Sequence, residues 1–381
     1  MGIQHRVKGN GKGAEYSGCA FGAAIVAVLI LISGAEAYAQ TRGADWIGVA
    51  GALGIDAFER PAGDWRLELP HDHGVHPEAG TEAWQMVAHL ADTNAVPLGV
   101  QLSLFRLGVL PPDTPAAERF EPRDLYRGHM ILTDGAANIV LAEERFGRGL
   151  AGLVGFDEAS HALRLDDWSI DFAPDDGEPR WQLRASVDDT RLDLTVRPAK
   201  VPLSVDGEDV PFRGYSFSRL DVDGTLETDD GERAVSGDAW FEHLWGELPV
   251  PGGSPVASDR LQVQFDDDTE LAVIRSRRLD GRGAPTVEAF LIDADGRTIP
   301  LGDGAAEVDF TREWRGAEGS WPVEWEMRLD EFELSVTPVM DGQEHAFASP
   351  TWSGLVRVDG QRGDQELTGM GTLQLSGYAA P

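Results

Sequence analysis

Along much of the chain, apolar and polar residues alternate one by one. In WPVEWEMRL (321–329), Trp321, Val323, Trp325, Met327 and Leu329 fall on one face, and Pro322, Glu324, Glu326 and Arg328 on the other. RLDLTVR (191–197) groups Leu192, Leu194 and Val196, and RLQVQFD (260–266) groups Leu261, Val263 and Phe265. A period of two predicts strands with one face in a core and the other in water. Asp-Gly pairs at 206–207, 223–224, 295–296 and 359–360 predict hairpin turns, because glycine accepts positive φ. Helical signal is confined to GADWIGVAGALGIDAF (43–58), and its glycines weaken it. The expected fold is all-β and antiparallel. Each half would hold about eight short strands, enough to curl into a barrel and remove exposed edges.

The polar, turn-rich stretch LDVDGTLETDDGERAVSG (220–237) predicts a break between two domains, 40–228 and 229–381. Residues 1–39 are set apart by a different pattern. Arg6, Lys8 and Lys12 precede an uncharged run from Cys19 to Ile32, and Ala37-Tyr38-Ala39 supplies a small-x-small cleavage site. This is the layout of a secretory signal peptide, with an uncleaved anchor as the alternative. An exported protein is expected, periplasmic or on the outer face of a membrane. Cys19 is the only cysteine, so the chain beyond residue 39 has no disulfide, thiol nucleophile or thiolate metal site. Beyond residue 39 the charge is 29 − 63 = −34 (32 basic residues less 3, 65 acidic less 2). That surface repels nucleic acid and anionic headgroups.

One stretch concentrates candidate chemistry. LPHDHGVHPEAGTEAWQMVAHL (69–90) carries His71, His73 and His76 beside Asp72, Glu78 and Glu82. The H-x-H-x-x-H spacing could serve a metal on a bent loop. It also resembles the opening motif of the AttH and hydroxyneurosporene synthase (carotenoid 1,2-hydratase) family, DHxxHPxxxxEWWYxxGHL. Asp72, His73, His76, Pro77, Glu82, Trp84, His89 and Leu90 fit that motif, whereas Ala83, Gln85 and Ala88 depart from it. Four further stretches resemble family segments in the same order: FRLGVLPP (105–112), GYSFSRLDVDGTL (214–226), VSGDAWFEHLWGE (235–247) and the ending from Trp352 to Tyr378.

The resemblance implies two packed lipocalin-like antiparallel β-barrels. It makes Asp72, His73, His76 and Glu82 a structural clamp, so no metal or cofactor is expected. Trp84, His89, Tyr215, Trp240 and Trp245 become candidate pocket residues. Two functions follow from it. One is a binder of a long hydrophobic ligand, isoprenoid or lipid, linked to an ABC transporter as AttH-like proteins are. The other is a hydratase or cyclase that protonates an isoprenoid alkene. Such chemistry needs an acid with a raised pKa in an apolar pocket and aromatic rings facing the cation. Glu242 and His243 are the candidates, and on a strand Trp240 and Glu242 share one face, His243 and Trp245 the other. The plainer uses are a solvated glutamate, a hydrogen-bonded core histidine and core tryptophans. The family's second carboxylate is replaced by Leu244, which favours binding over catalysis. A carbohydrate-active β protein ranks last, since no carboxylate pair stands at recognisable positions.

Overall fold

The computed structural model describes residues 58–379 except 116–121, 150–152, 173–179, 206–210, 249–255 and 302–305. The expected leader and nearly all of the possible helix at 43–58 therefore lie outside the described residues. No helix among the described residues is long and apolar enough to cross a membrane.

Two antiparallel sheets account for nearly everything described. The first contains β1 (Thr81–Asp92), β2 (Pro97–Gly108), β3 (Asp124–Asp134), β4 (Ile139–Arg148), β5 (Val154–Asp157) and β6 (Ala162–Leu165). It adds β7 (Trp168–Asp171), β8 (Trp181–Val187), β9 (Thr190–Pro198), β10 (Leu203–Val205), β11 (Phe212–Thr228) and β12 (Gly231–Gly246). Its order is β4-β3-β2-β1-β12-β11-β9-β8-β7-β6-β5, with β10 beside β11. The second contains β13 (Val256–Phe265), β14 (Glu270–Arg278), β15 (Thr286–Ile292), β16 (Thr298–Leu301) and β17 (Glu307–Arg315). It is completed by β18 (Ser320–Leu329), β19 (Phe332–Pro338), β20 (Glu344–His345), β21 (Thr351–Arg362) and β22 (Gln365–Ser376). Its order is β16-β15-β14-β13-β22-β21-β19-β18-β17, with β20 beside β21.

Both sheets curl until distant strands touch. Gly128 on β3 meets the side chains of Leu165 on β6 and Trp168 on β7, so a Cβ there would clash. In the second sheet, the Arg275 guanidinium of β14 lies 4.7 Å from the ring centroid of Phe310 on β17. Each curl encloses its own apolar core, with Trp84, Phe217 and Phe241 in the first and Trp321, Trp325 and Trp352 in the second.

The alternation read from the sequence identifies the core faces correctly. Leu192, Leu194 and Val196 line the first core, and Leu261, Val263, Phe265 and the WPVEWEMRL apolar set line the second. The other face of β13 is not in water, however. Arg260, Gln262 and Gln264 are buried against the first sheet. Alternation reports two faces but not what covers the polar one.

Two sequence expectations about punctuation need correction. Of the Asp-Gly pairs named above, 223–224, 295–296 and 359–360 are described, and among these three Asp295-Gly296 alone makes a turn, with Gly296 at φ +80 and its N–H donating to Asp293 O. Gly224 and Gly360 lie inside β11 and β21, where a Cβ would run into the carbonyl oxygens of Asp193 and Glu333 on neighbouring strands. They permit close strand approach rather than reversal. The stretch expected to separate the domains is the β11–β12 hairpin, with Thr228 paired to Gly231. Both of its strands belong to the first sheet, and the chain passes to the second sheet between Gly246 and Val256. A polar turn at a hairpin tip and a polar linker have the same composition.

Candidate functional site

Strand parity sorts the candidate residues into two groups. On β1, Glu82 and Trp84 face into the first barrel, while Gln85, Val87 and His89 face the second sheet. On β12, Phe241, His243 and Trp245 face in, and Trp240 and Glu242 face out. Tyr215 of β11 pairs in register with His243 and also faces in.

Inside the first barrel, Glu82 is the hub. Its carboxylate accepts hydrogen bonds from His76 Nδ1 at 2.8 Å, His76 N at 3.0 Å and Arg106 Nε at 2.8 Å, and contacts His243 Nε2 at 2.9 Å. Arg106 also donates to Asp124 Oδ1 at 2.6 Å and to the carbonyls of His76 and Ala79. Glu82 and Arg106 are both fully buried, a geometry viable only when every charge is paired and hydrogen-bonded. Burial alone would raise the Glu82 pKa. The Arg106 guanidinium and the two histidine contacts outweigh it and hold the carboxyl well below the usual range. Burial likewise opposes charge on His76, but its contacts with the Asp72 and Glu82 carboxylates raise its pKa to about 9. Its protonated ring stacks on Trp245 at 3.6 Å between centroids.

This network fixes the short 3-10 turn His71–His73. His243 Nδ1 donates to Asp72 O at 2.9 Å, and Trp84 Nε1 donates to His73 O at 3.1 Å. Burial lowers the His243 pKa, while its contact with Glu82 opposes that shift. Asp72 accepts from Glu68 N at 2.8 Å and lies 3.6 Å from His76 Nε2, an ion-pair distance rather than a hydrogen bond. Despite its burial, contacts with His76, Glu68 N and His71 lower its pKa to about 2.

The clamp aims one ring into open space. His73 lines a cavity of about 560 Å³ together with Phe172, Trp181, Phe217 and the Pro198–Pro202 segment. Its ring stacks on Phe172 at 4.2 Å, and its Nδ1 lies 2.5 Å from the Tyr215 hydroxyl. Burial and the nearby His243 lower the His73 pKa to about 3, so the ring is neutral. Burial, with Asp72 and Glu82 nearby, pushes the Tyr215 phenol well above 10. His73 can exchange a hydrogen bond with a ligand through its other ring nitrogen, and neither group is a strong acid at neutral pH.

Glu242 sits elsewhere. It is buried between the sheets, ion-paired with Arg260 Nη2 of β13, and accepts from Trp240 Nε1 at 3.0 Å and Gln262 Nε2 at 3.2 Å. Burial raises its pKa while Arg260 opposes that shift. Trp240 packs with Val87, Ala272 and Ile292 between the sheets. His89 bridges them as well, with Nδ1 2.9 Å from Gln264 Oε1 and Nε2 2.9 Å from Thr372 Oγ1. The sequence expectation that Glu242, Trp240 and His89 serve a ligand pocket is corrected on geometry: all three are on the face opposite the cavity. Glu242 is not a solvated outer residue either.

Among the described residues, ligand atoms of His76, Glu82 and His243 lie close enough together to hold a metal ion. The Arg106 guanidinium 2.8 Å from Glu82 already supplies the positive charge there.

Sequence reasoning missed Arg106, Phe172, Trp181 and Phe217. Arg106 was within reach. It shares parity with Val100, Leu102 and Leu104, and a charge on an apolar face signals a buried partner. The cavity aromatics carry no local signal, because they come from three separate segments.

The AttH-like family model matches residues 60–378. The chain belongs to the AttH-like family. A putative AttH from Nitrosomonas europaea shares 25% identity with it at a TM-score of 0.71, over 85% of this chain and all of that one. Kievitone hydratase from Nectria haematococca shares the fold at a TM-score of 0.61 and 13% identity, over 84% of this chain and 98% of that one. No curated protein matches. AttH-like membership and these structures agree with two barrel-like, lipocalin-like sheets in one chain.

Proposed function

We propose that this AttH-like protein binds a hydrophobic small molecule of isoprenoid or lipid type inside its first barrel. The observation that carries this reading is the aromatic cavity of about 560 Å³ with the neutral His73 ring in its wall, its Nδ1 held by the buried Tyr215 hydroxyl. Small-molecule pockets have this size and makeup: mostly apolar walls and a few placed polar groups that fix orientation. Phe172, Trp181 and Phe217 offer flat faces to a polyene or prenyl chain, and His73 offers a hydrogen bond to an oxygen at its end. Titration of delipidated protein with such ligands is expected to quench Trp181 fluorescence. A flat signal in wild type, with no lipid in an organic extract of the purified protein, sinks the reading.

Hydration or cyclisation of the bound ligand is the second reading, favoured by His73, which lines the cavity with its Nδ1 on the buried Tyr215 hydroxyl. The fold can house such chemistry, as one structural neighbour bears the name hydratase. Any general base would then be His73 rather than Glu242. Product analysis with Tyr215→Phe, His73→Asn and Glu242→Gln separates these roles, since only the first two should alter turnover. The leader pattern in residues 1–39 supports delivery outside the cytoplasm, and AttH-like membership supports handover to or from a transport system. Fractionation of cells expressing tagged protein tests the first point.

A further inference from the structure

A second and smaller cavity, of about 50 Å³, lies between the barrels. Its walls come from the outward faces of β2 and β3 and from β21 and β22 of the other sheet. Arg127 of β3 forms part of it and is 2% exposed. Only its Nε has a protein acceptor, Glu144 Oε1 at 2.6 Å. No described residue accepts from Nη1 or Nη2. Glu144 is itself shared, lying 3.0 Å from His129 Nε2 and accepting from Ala348 N at 3.0 Å. With no protein acceptor, these two guanidinium nitrogens are left for an occupant of the cavity that Arg127 lines, since charged donors in a largely enclosed setting normally have partners.

In the same lining, Gln374 Oε1 is buried and accepts nothing, while its amide nitrogen is 3.5 Å from Gln101 Oε1. Gln101 Oε1 is already taken by Ser353 Oγ at 2.6 Å. The cavity thus presents a cationic donor fork and a spare acceptor. Phe105 and Phe347 supply apolar wall. At about 10–15 Å³ per water, the space admits about three to five water-sized groups. That is the scale of a short organic acid.

We propose that this cavity binds a small hydroxycarboxylate, its carboxylate on the Nη1 and Nη2 fork of Arg127 and its hydroxyl donating to Gln374. A planar fork matches a carboxylate with two parallel charge-assisted hydrogen bonds. The hydroxyl satisfies the one acceptor that acetate would leave bare. This site is separate from the hydrophobic cavity and stands or falls independently of it.

The test uses the full-length chain and calorimetric titration with sodium lactate, acetate and chloride at matched ionic strength. Lactate should bind more tightly than acetate, and chloride should not compete. Arg127→Met should weaken lactate by roughly tenfold or more. Gln374→Leu should reduce lactate to the level of acetate and leave acetate unchanged. If Arg127→Met does not fold, Arg127→Lys replaces it, keeping the charge without the fork and again weakening lactate. The proposal is overturned if lactate binds no better than chloride, or if the Arg127 variants bind it like wild type. Quenching of Trp181 by a polyene ligand should persist in every variant. Its absence alongside lactate binding would count against the barrel reading only.

Discussion

Glu242 on β12 and Arg260 on β13 form a buried ion pair that joins the two sheets. Arg260 also donates to Gln85 Oε1 at 3.0 Å, so three strands meet at this point. The carboxylate that the sequence offers as a proton donor is therefore a fastening between barrels.

Removing one member of that pair should destabilise the protein without touching the ligand cavity. Glu242→Ala leaves Arg260 buried and unpaired, at a cost of about 3–5 kcal/mol. The double variant Glu242→Met with Arg260→Met should recover most of the loss, because a buried pair replaced by apolar groups of similar size is often neutral. Urea unfolding measures both. If Glu242→Ala unfolds at the wild-type midpoint, the pair is not a fastening.

Lys200 lines the mouth of the hydrophobic cavity, yet its ammonium is buried in the second sheet. It donates to Glu270 at 2.9 Å and to the carbonyls of Asp268 and Asp293. Glu270 keeps Arg219 and Ser218 when Lys200 is removed. Lys200→Met should therefore cost only about 1–3 kcal/mol, and should free the Pro198–Pro202 rim so that a bound polyene leaves faster. Stopped-flow displacement reads the rate, and an unchanged rate would show that the rim does not govern release.

Tyr215→Phe removes the hydroxyl from His73 Nδ1 and leaves that buried nitrogen unmatched, at about 1–3 kcal/mol in stability. Ligands with a terminal oxygen should lose affinity through a misplaced His73 ring, while hydrocarbons of equal length should not. Parallel titrations with a prenyl alcohol and the matching alkene make the comparison, and equal losses for both would remove His73 from polar recognition.

Stability should be greatest near neutral pH. Burial keeps His73, His89 and His345 neutral in the fold, with pKa values lowered to about 3, 4 and 4. The unfolded chain takes up these protons below the ordinary value of 6.5. Stability therefore falls as pH drops from there, by on the order of 1.4 kcal/mol per pH unit for each ring. His76 runs the other way. Its raised pKa of about 9 gives a contribution that is full below pH 6.5 and lost as pH rises through about 9. Urea midpoints measured across this range should peak near neutrality, and a profile still rising into alkali would contradict the charged His76.

The sequence by itself determined the strands, their core faces and four members of the clamp, which Arg106 and His243 join only through the fold. Alternation encodes facing directly, which is why Trp240 with Glu242 and His243 with Trp245 separate as read. Asp72, His73, His76 and Glu82 were legible as a group because they lie within eleven consecutive positions, 72–82. Tertiary structure decided what each face meets. A polar face reads the same whether water or another sheet covers it, so the burial of Glu242, His89 and the Arg260 face had no local sign. The cavity was equally hidden, since Phe172, Trp181 and Phe217 converge on His73 only when the sheet curls. Curvature accumulates over many strands, and no short stretch of residues records it.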